Sequence, residues 1–347
     1  MADKKFIVSS SPHISTSENT KMIMIDVIIA LIPVLIAGWF YFGVRALIVT
    51  FLSVASCVLS EYIYQCLYIG FQIKNKMHTT MRDALEKAKT KTDIGDMSAV
   101  VTGLMLAFSL PVTTPYPMII IGAMFAIIIV KQLFGGIGNN FVNPALAARA
   151  FMLASWPVAL TMYVSPVMNF ASYVSSADVM TSATPLALLK EGFESSAAPS
   201  LYDAFLGRIA GCIGETSTIL IIMGAIYLIV RRVISVRIPL SYLLSFAVLV
   251  FFFGSHPYDL KFVMYHLCTG GVVFASVFMA TDYVTTPTTK MGQIIFGAGC
   301  GILTFVIRRF GGYPEGATYA ILLMNVLSPL IDKYIHPRRF GEVSKRG

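Results

Sequence analysis

Charged side chains are scarce in this sequence, at 13% of its 347 residues, where a soluble domain carries roughly 25%. Hydrophobic residues make up 56%, and the mean hydropathy is +0.75. Such a chain cannot cover its surface with water-loving groups, so lipid must cover part of it, which excludes a large soluble core. No two of the five cysteines (Cys57, Cys66, Cys212, Cys268 and Cys300) have a C-x-x-C spacing. They read as small hydrophobes and not as a zinc or iron–sulfur framework. The histidines, His13, His78, His256, His266 and His336, show no ligand spacing either. No Walker loop, glycine-rich nucleotide turn or catalytic triad is present, so neither a catalytic residue nor a metal site is expected. Net charge is +8, but the basic residues are dispersed between apolar runs. That pattern points to membrane orientation and not to nucleic-acid binding. No cleavable signal is evident, because residues 1–21 are polar and the apolar run after them is too long for a signal.

What is abundant is apolar sequence in lengths that suit a bilayer, where a spanning helix takes ~20 residues. Ten candidate spans lie near 22–42, 46–71, 97–112, 116–132, 144–164, 211–230, 238–255, 262–281, 291–307 and 315–335. The third and fourth are short. The sequence therefore predicts an all-α polytopic membrane protein of about ten transmembrane helices. Its organisation reads as an N-terminal segment 1–21, a first membrane half 22–164, a connection 165–210, a second half 211–335 and a basic tail 336–347. Within the first half, residues 74–93 are lysine-rich, with Met77, Met81, Ala84, Leu85 and Ala88 near helical spacing. They read either as an amphipathic helix on the membrane surface or as a solvated loop.

With both termini on the cytoplasmic side, most lysines and arginines fall on that side. Only Arg45, Lys190, Arg208, Lys261, Arg308 and Arg309 fall opposite, and Arg149 lies inside a span. The asymmetry favours that orientation and puts residues 165–210 outside. The halves also echo each other. "VTTP" recurs at Val112–Pro115 and Val284–Pro287, and "FGG" at Phe134–Gly136 and Phe310–Gly312, both offset by about half the chain. Five spans per half is an odd number, so the halves would be inverted, with broken or re-entrant helices meeting near midplane. The segment Gly135–Phe151, "GGIGNNFVNPALAARAF", is one expected break. The amides of Asn139, Asn140 and Asn143 can line an ion or flavin pocket. Equally, asparagine can cap a helix that Pro144 begins.

Ionisable residues inside spans are costly and usually face a cavity or a partner. Asp26, Glu61, Arg149 and Asp282 are the candidates. Asp26 stands near a helix start, where it can complement the dipole. Arg149 can pair with an acid or a phosphate. For Glu61 and Asp282, an ion path and a structural role stand level.

Between the halves lies "DVMTSATPLA", Asp178–Ala187. Pro185 biases Thr184 toward an extended backbone, and Ser182 and Ala183 leave the hydroxyl accessible. An unaided threonine hydroxyl is a poor nucleophile. It can accept a phosphoryl group if another enzyme brings the metal and the activated donor. By composition alone the stretch is an ordinary serine/threonine turn.

"DVMTSAT" resembles the D-x-x-[S/T]-G-A-T signal at which a flavin transferase esterifies FMN to threonine. The wider chain resembles the RnfD/NqrB family of membrane subunits, from Rnf ferredoxin:NAD oxidoreductases and, more distantly, sodium-pumping NADH:quinone reductases. The resemblance is nearly full-length. It runs through "SSPHI" (Ser10–Ile14), "SAVVTGLMLAFSLP" (Ser98–Pro111), "KQLFGGIGNNFVNPALAARAF" (Lys131–Phe151), "MATDYVTTP" (Met279–Pro287) and "FGGYPEGATYAILLMNVLSPLID" (Phe310–Asp332). Chain length and the short N-terminal extension favour the Rnf branch.

The resemblance implies covalent FMN on Thr184, with Asp178, Thr181, Ser182, Ala183 and Pro185 forming the attachment motif. Ser182 departs from the family's glycine, a steric cost if that position needs positive φ. It also implies a noncovalent flavin (riboflavin), partner Rnf subunits, a flavin transferase for maturation, and Na+ or H+ as the transported ion. The location implied is a bacterial inner membrane, with the flavin loop on the outer face. Glu61, Asn143, Arg149 and Asp282 remain candidates for an ion path or pocket. Two readings compete: an NqrB-type subunit of a quinone reductase, and a non-redox inverted-repeat transporter or channel, which broken helices fit equally well.

Overall fold

A computed structural model describes residues 19–77, 95–168, 170, 186, 200–215, 217–312 and 315–335. Helices account for nearly all regular structure among them. They are α1 (Thr20–Phe42), α2 (Val44–Met77), α3 (Ser98–Phe108), α4 (Tyr116–Met124, continuing as a π-helix over Phe125–Gln132), α5 (Pro144–Ser155) and α6 (Pro157–Leu160). After the connection come α7 (Leu201–Leu206), a 3-10 turn (Ile213–Glu215), α8 (Thr218–Val230), α9 (Arg237–Phe253) and α10 (Leu260–Cys268). Then follow α11 (Val272–Phe274, continuing as a π-helix over Ala275–Met279), α12 (Lys290–Phe310) and α13 (Ala317–Tyr334). The all-α membrane architecture is as expected. Among the described residues three helices, α1, α2 and α12, are long and apolar enough to cross a bilayer on their own, and α10 with α11 forms a fourth, bent by 65°. The amphipathic reading of 74–93 falls mostly outside the described residues.

The two halves are inverted. In each, a short buried helix (α3; α11) leads through a TTP turn into a second helix (α4; α12), and a glycine turn leads into a third (α5; α13). Ser98, at the start of α3, and Asp282, just past the end of α11, line the same cavity. Corresponding helices therefore run in opposite directions. The two ends of the bundle are named here for Lys131, beside that cavity, and Arg45, whose guanidinium donates to Thr113 O at 3.0 Å beyond the far end of α3.

Small residues let the backbones close up, as apolar association in lipid requires. A Cβ on Gly103 of α3 would lie 2.7 Å from Val54 Cα of α2, and Ser53 Oγ donates to Gly103 O at 2.8 Å. Ser241 and Ser245 of α9 likewise fill the spaces over Gly297 and Gly301 of α12.

The break between α10 and α11 is made by Gly270 and Gly271, at φ +69° and +65°. It frees carbonyls that lipid cannot satisfy. Arg308 of α12 satisfies them, donating to His266 O (2.8 Å), Thr269 O (3.2 Å) and Gly270 O (3.0 Å). The glycine-rich turn before α5 is a break as well, with positive φ at Gly135, Gly136 and Gly138. Asn143 ends it as an N-cap, accepting from Ala145 N and Leu146 N, and Pro144 opens α5.

Candidate functional site

At the Lys131 end, α1, α3, α8 and α11 enclose a cavity of about 90 Å3. Its walls are mostly apolar, including Val27, Met105, Leu228 and Phe278. Its polar lining includes Ser98, Thr102, Lys131, Asn140, Asn143 and Asp282. An apolar slot with a few convergent polar groups is the usual form of a site for a small organic ligand. Asn143 Nδ2 also donates to Met279 O at 3.2 Å, tying the two halves together across the cavity. Asp282 accepts from Thr285 Oγ1 at 3.4 Å and so closes the turn before the second VTTP while facing the cavity.

Behind the cavity wall the π-helical turn of α4 presents Lys131 and Gln132 to Glu61 of α2. Lys131 Nζ donates to Glu61 Oε1 (2.7 Å) and to Ser98 Oγ (2.5 Å), and Gln132 Nε2 donates to the same Glu61 oxygen at 2.6 Å. Glu61 is 2% exposed and Lys131 3%. Lys131 is thus a buried charge, although the charge count assigns it to the basic residues of the cytoplasmic side. Ser98 in turn donates to Asp96 Oδ2 at 2.8 Å, and Asp96 is partly exposed.

Toward the Arg45 end a second polar cluster joins the halves. Arg149 of α5 is ion-paired with Glu315, before α13, and with Glu215 of the 3-10 turn. Tyr163 Oη donates to Glu315 at 2.8 Å. Cys212 Sγ, Glu215 and Glu315 lie within 4.8 Å of one another, and the Arg149 guanidinium is already paired with both carboxylates. Gly271 leaves room for Glu215, since a Cβ there would lie 2.5 Å from its carboxylate.

A cavity of about 220 Å3 lies alongside, between α9, α10 and α12. Phe246, Phe262 and Phe305 form aromatic walls, and His266, Arg308 and Arg309 supply polar edges. His266 Nδ1 is buried with no hydrogen-bond partner among the described residues. Leu186, 4% exposed, plugs this cavity. The connection that contains Leu186 is fixed to the end of α1 on both sides. Val167 N donates to Tyr41 O at 2.8 Å, Trp39 Nε1 to Phe170 O at 3.1 Å, and Tyr41 Oη to Leu206 O at 2.8 Å.

The attachment motif itself, Asp178, Thr181, Ser182, Ala183, Thr184 and Pro185, lies outside the described residues. Of the other expected residues, Asn143 and Asp282 share the first cavity and Glu61 stands behind its wall. Arg149 belongs to the separate cluster, paired with acids. Asp26 does more than complement a dipole: it accepts from Tyr227 Oη (2.9 Å) of α8 and from Arg231 Nη2 (3.1 Å) just past its end. Sequence reasoning missed Glu215 and Glu315, which lie at the starts of the candidate spans 211–230 and 315–335 and were not counted among the ionisable residues inside spans.

The chain matches the NQR2, RnfD, RnfE family over residues 7–341. It is 44% identical over 343 residues to the D subunit of the Na(+)-translocating ferredoxin:NAD(+) oxidoreductase complex of Acetobacterium woodii, covering 98% of this chain and 97% of that protein. It is 40% identical over 344 residues to the D subunit of the proton-translocating ferredoxin:NAD(+) oxidoreductase complex of Clostridium ljungdahlii, covering 97% and 96%. Against the D subunit of the ion-translocating oxidoreductase complex of Cronobacter sakazakii, identity is 32% over 367 residues, covering 97% and 99%.

Proposed function

The chain belongs to the NQR2, RnfD, RnfE family, and from that premise we propose that it is the membrane electron-transfer component, the D subunit, of an ion-translocating ferredoxin:NAD oxidoreductase, carrying FMN esterified to Thr184. The observation that carries the reading is the full-length match to two such D subunits, at 44% and 40% identity, by a chain that also holds the motif Asp178–Pro185. One of those relatives is named for sodium and the other for protons, so Na+ and H+ are both admitted as the transported ion.

In this reading Thr184 provides the ester oxygen, while Asp178, Thr181, Ser182, Ala183 and Pro185 form the frame that a flavin transferase recognises. A flavin supplies electron transfer, and the protein sets its orientation and potential through hydrogen bonds and nearby charge. Two places in the chain bear on such groups. Beside Leu186, two positions after Thr184, are three phenylalanine rings and the buried Nδ1 of His266, which suit a flat ring with acceptor edges. At the Lys131 end, Asn140, Asn143 and Asp282 stand among apolar walls, but the cavity of about 90 Å3 does not fit a flavin ring, and a noncovalent flavin such as riboflavin rests on the family resemblance alone. With the lysine and arginine asymmetry favouring both termini in the cytoplasm, the first site lies toward the outer face of a bacterial inner membrane and the second toward the inner. Partner subunits of the complex would deliver and collect the electrons, because no motif in this sequence is of the kind that binds ferredoxin or NAD.

Co-expression with the flavin transferase tests this directly. Intact-protein mass spectrometry is expected to show one FMN adduct, with a flavin-fluorescent band on a denaturing gel. Both should vanish in Thr184→Ala and persist in Thr184→Ser. A bare polypeptide mass in competent cells overturns FMN attachment at Thr184 and with it the electron-carrier reading.

A further inference from the structure

The end of α8 carries an arginine where a helix usually carries glycine. Two hydrogen bonds close that end, Arg232 N to Ile229 O at 3.0 Å and Val233 N to Leu228 O at 2.9 Å. This pairing is a helix stop that needs left-handed backbone at the position of Arg232, and glycine is its common occupant. Arg232 adopts that backbone, at φ +57°, although a Cβ makes it costly. A residue kept at a local cost points to a use for its side chain.

That side chain lines a groove of about 620 Å3 between the α8–α9 turn, the segment after α11 and the first turn of α12. Thr281 and Tyr283 line both this groove and the cavity beside Lys131, so the two lie at the same end of the bundle. Arg237, the first residue of α9, lines the groove as well. Among the described residues neither Arg232 nor Arg237 is ion-paired, whereas the adjacent Arg231 is held by Asp26. No carboxylate lines the groove, and Asp282 faces the other cavity. Gln293 Oε1 accepts from Ser235 Oγ at 2.9 Å and from Arg237 Nη1 at 3.5 Å, which leaves the Gln293 amide nitrogen to donate. Val236 gives the first turn of α9 no side-chain cap, so the N–H groups that begin this helix are free of one.

We propose that this groove binds the phosphate of an anionic phospholipid, with Arg232 and Arg237 as its two cationic forks. Guanidinium groups without a carboxylate partner match phosphate oxygens in charge and in geometry. A basic cleft at the end of membrane helices is a place where anionic head groups are recognised. The apolar surface leading away from the groove selects a lipid over a soluble anion or an acidic peptide. Ile226 and Val230 of α8 are exposed, as are Leu240 and Leu244 of α9, one and two turns beyond Arg237. Helical spacing keeps each pair on one face, giving acyl chains two tracks that a soluble ligand would leave unused. Tyr283, exposed beside the groove, donates its hydroxyl to Val233 O, and tyrosine is enriched at head-group level. This site does not depend on the flavin reading.

The full-length chain, purified in a neutral detergent, serves for the test. Its thermal midpoint is followed while phosphatidylglycerol, phosphatidylcholine of the same acyl chains, or inorganic phosphate is added. Phosphatidylglycerol should raise the midpoint saturably, by linkage to one site, and the other two should not. Arg232→Gly/Arg237→Gln should need roughly 30-fold more phosphatidylglycerol for half the rise, since two cationic contacts are lost. Lys261→Gln, exposed at the opposite end, should respond as the unaltered chain does. Arg232→Gly alone relieves the left-handed backbone, so its lipid-free midpoint should not fall while its lipid response weakens. That combination separates a binding arginine from a structural one, and it decides the matter if the double variant does not fold. A lipid response unchanged in the arginine variants, or lost equally in Lys261→Gln, overturns the proposal. So does an equal response to phosphatidylcholine, which needs no anionic charge, or to inorganic phosphate, which needs no lipid. Native mass spectrometry gives a second measurement: one phosphatidylglycerol should stay on the unaltered chain and leave the double variant, and equal retention overturns the site. An unchanged lipid response together with loss of a neighbouring subunit from the purified complex assigns the groove to a protein interface instead.

Discussion

The Arg149 guanidinium lies 3.6 Å from the Glu215 carboxylate and is at the same time clasped by Glu315, so one cation from the first half is held by two acids of the second. The side chains are 10%, 7% and 15% exposed. Such a bridge is weak grounds for net stability, because its members are costly to desolvate, but removing one member leaves charge buried and unpaired.

Arg149→Met is therefore expected to destabilise the protein by about 3–5 kcal/mol. The triple variant Arg149→Met/Glu215→Gln/Glu315→Gln should recover much of the loss, since no net charge is left inside. Thermal unfolding of the detergent-solubilised protein, followed by fluorescence, checks both.

Asp26 and Arg231 make the opposite case. Arg231 is 56% exposed, and exposed pairs contribute only about 0–1 kcal/mol. Arg231→Gln should change the thermal midpoint little, and its effect should shrink further as salt is raised. A loss comparable to that of Arg149→Met would show that the exposed end of this pair is closed off in the assembled complex.

Gly103→Leu should be far more damaging than an apolar replacement in an apolar helix suggests. A Cβ would press on Val54 Cα at 2.7 Å, Val54 N at 3.1 Å and Ser53 O at 3.2 Å, and backbone cannot step aside as a side chain can. Overpacking of this kind typically costs about 1–3 kcal/mol or more. The same change would also stretch the bond from Ser53 Oγ to Gly103 O. Reduced expression and a lower midpoint for Gly103→Leu, with Gly103→Ala intermediate, are the expected results.

Ser182→Gly restores the residue that the attachment signal usually carries. If positive φ is needed there, glycine removes a steric penalty of about 1–2 kcal/mol. The initial rate of FMN incorporation, by in-gel fluorescence against transferase concentration, should then rise. A slower rate would mean that the Ser182 hydroxyl assists recognition.

The charge pattern was legible in part, and its exceptions are instructive. Arg45 and Arg308 fall on the side that should be poor in basic residues. Both are buried, at 5% and 6% exposure, and both donate to backbone carbonyls, Arg45 to Thr113 and Arg308 at the α10–α11 break. They answer local hydrogen-bonding needs and are not surface charges. Lys131 is the converse, a basic residue that counts toward the richer side yet forms a buried pair with Glu61. A linear sequence cannot separate these cases, because hydropathy averages over a window while burial depends on a neighbour many residues away. The Asn143–Pro144 cap, by contrast, was readable, since capping is decided within four residues.

By itself the sequence determined the class of the protein: too few charges for water, apolar runs of bilayer length, halves that repeat, and motif strings in a recognisable order. Those are properties of composition and local spacing, and the solvent imposes them on any fold the chain adopts. Only the tertiary structure decided which ionisable groups meet. Glu61 found Lys131 where two helices of the first half pack together, while Asp26 found Arg231 and Arg149 found Glu215 and Glu315 where the inverted halves interlock. In a low-dielectric interior a buried charge must be matched by whatever neighbour the packing delivers, and that neighbour is set by three-dimensional position alone.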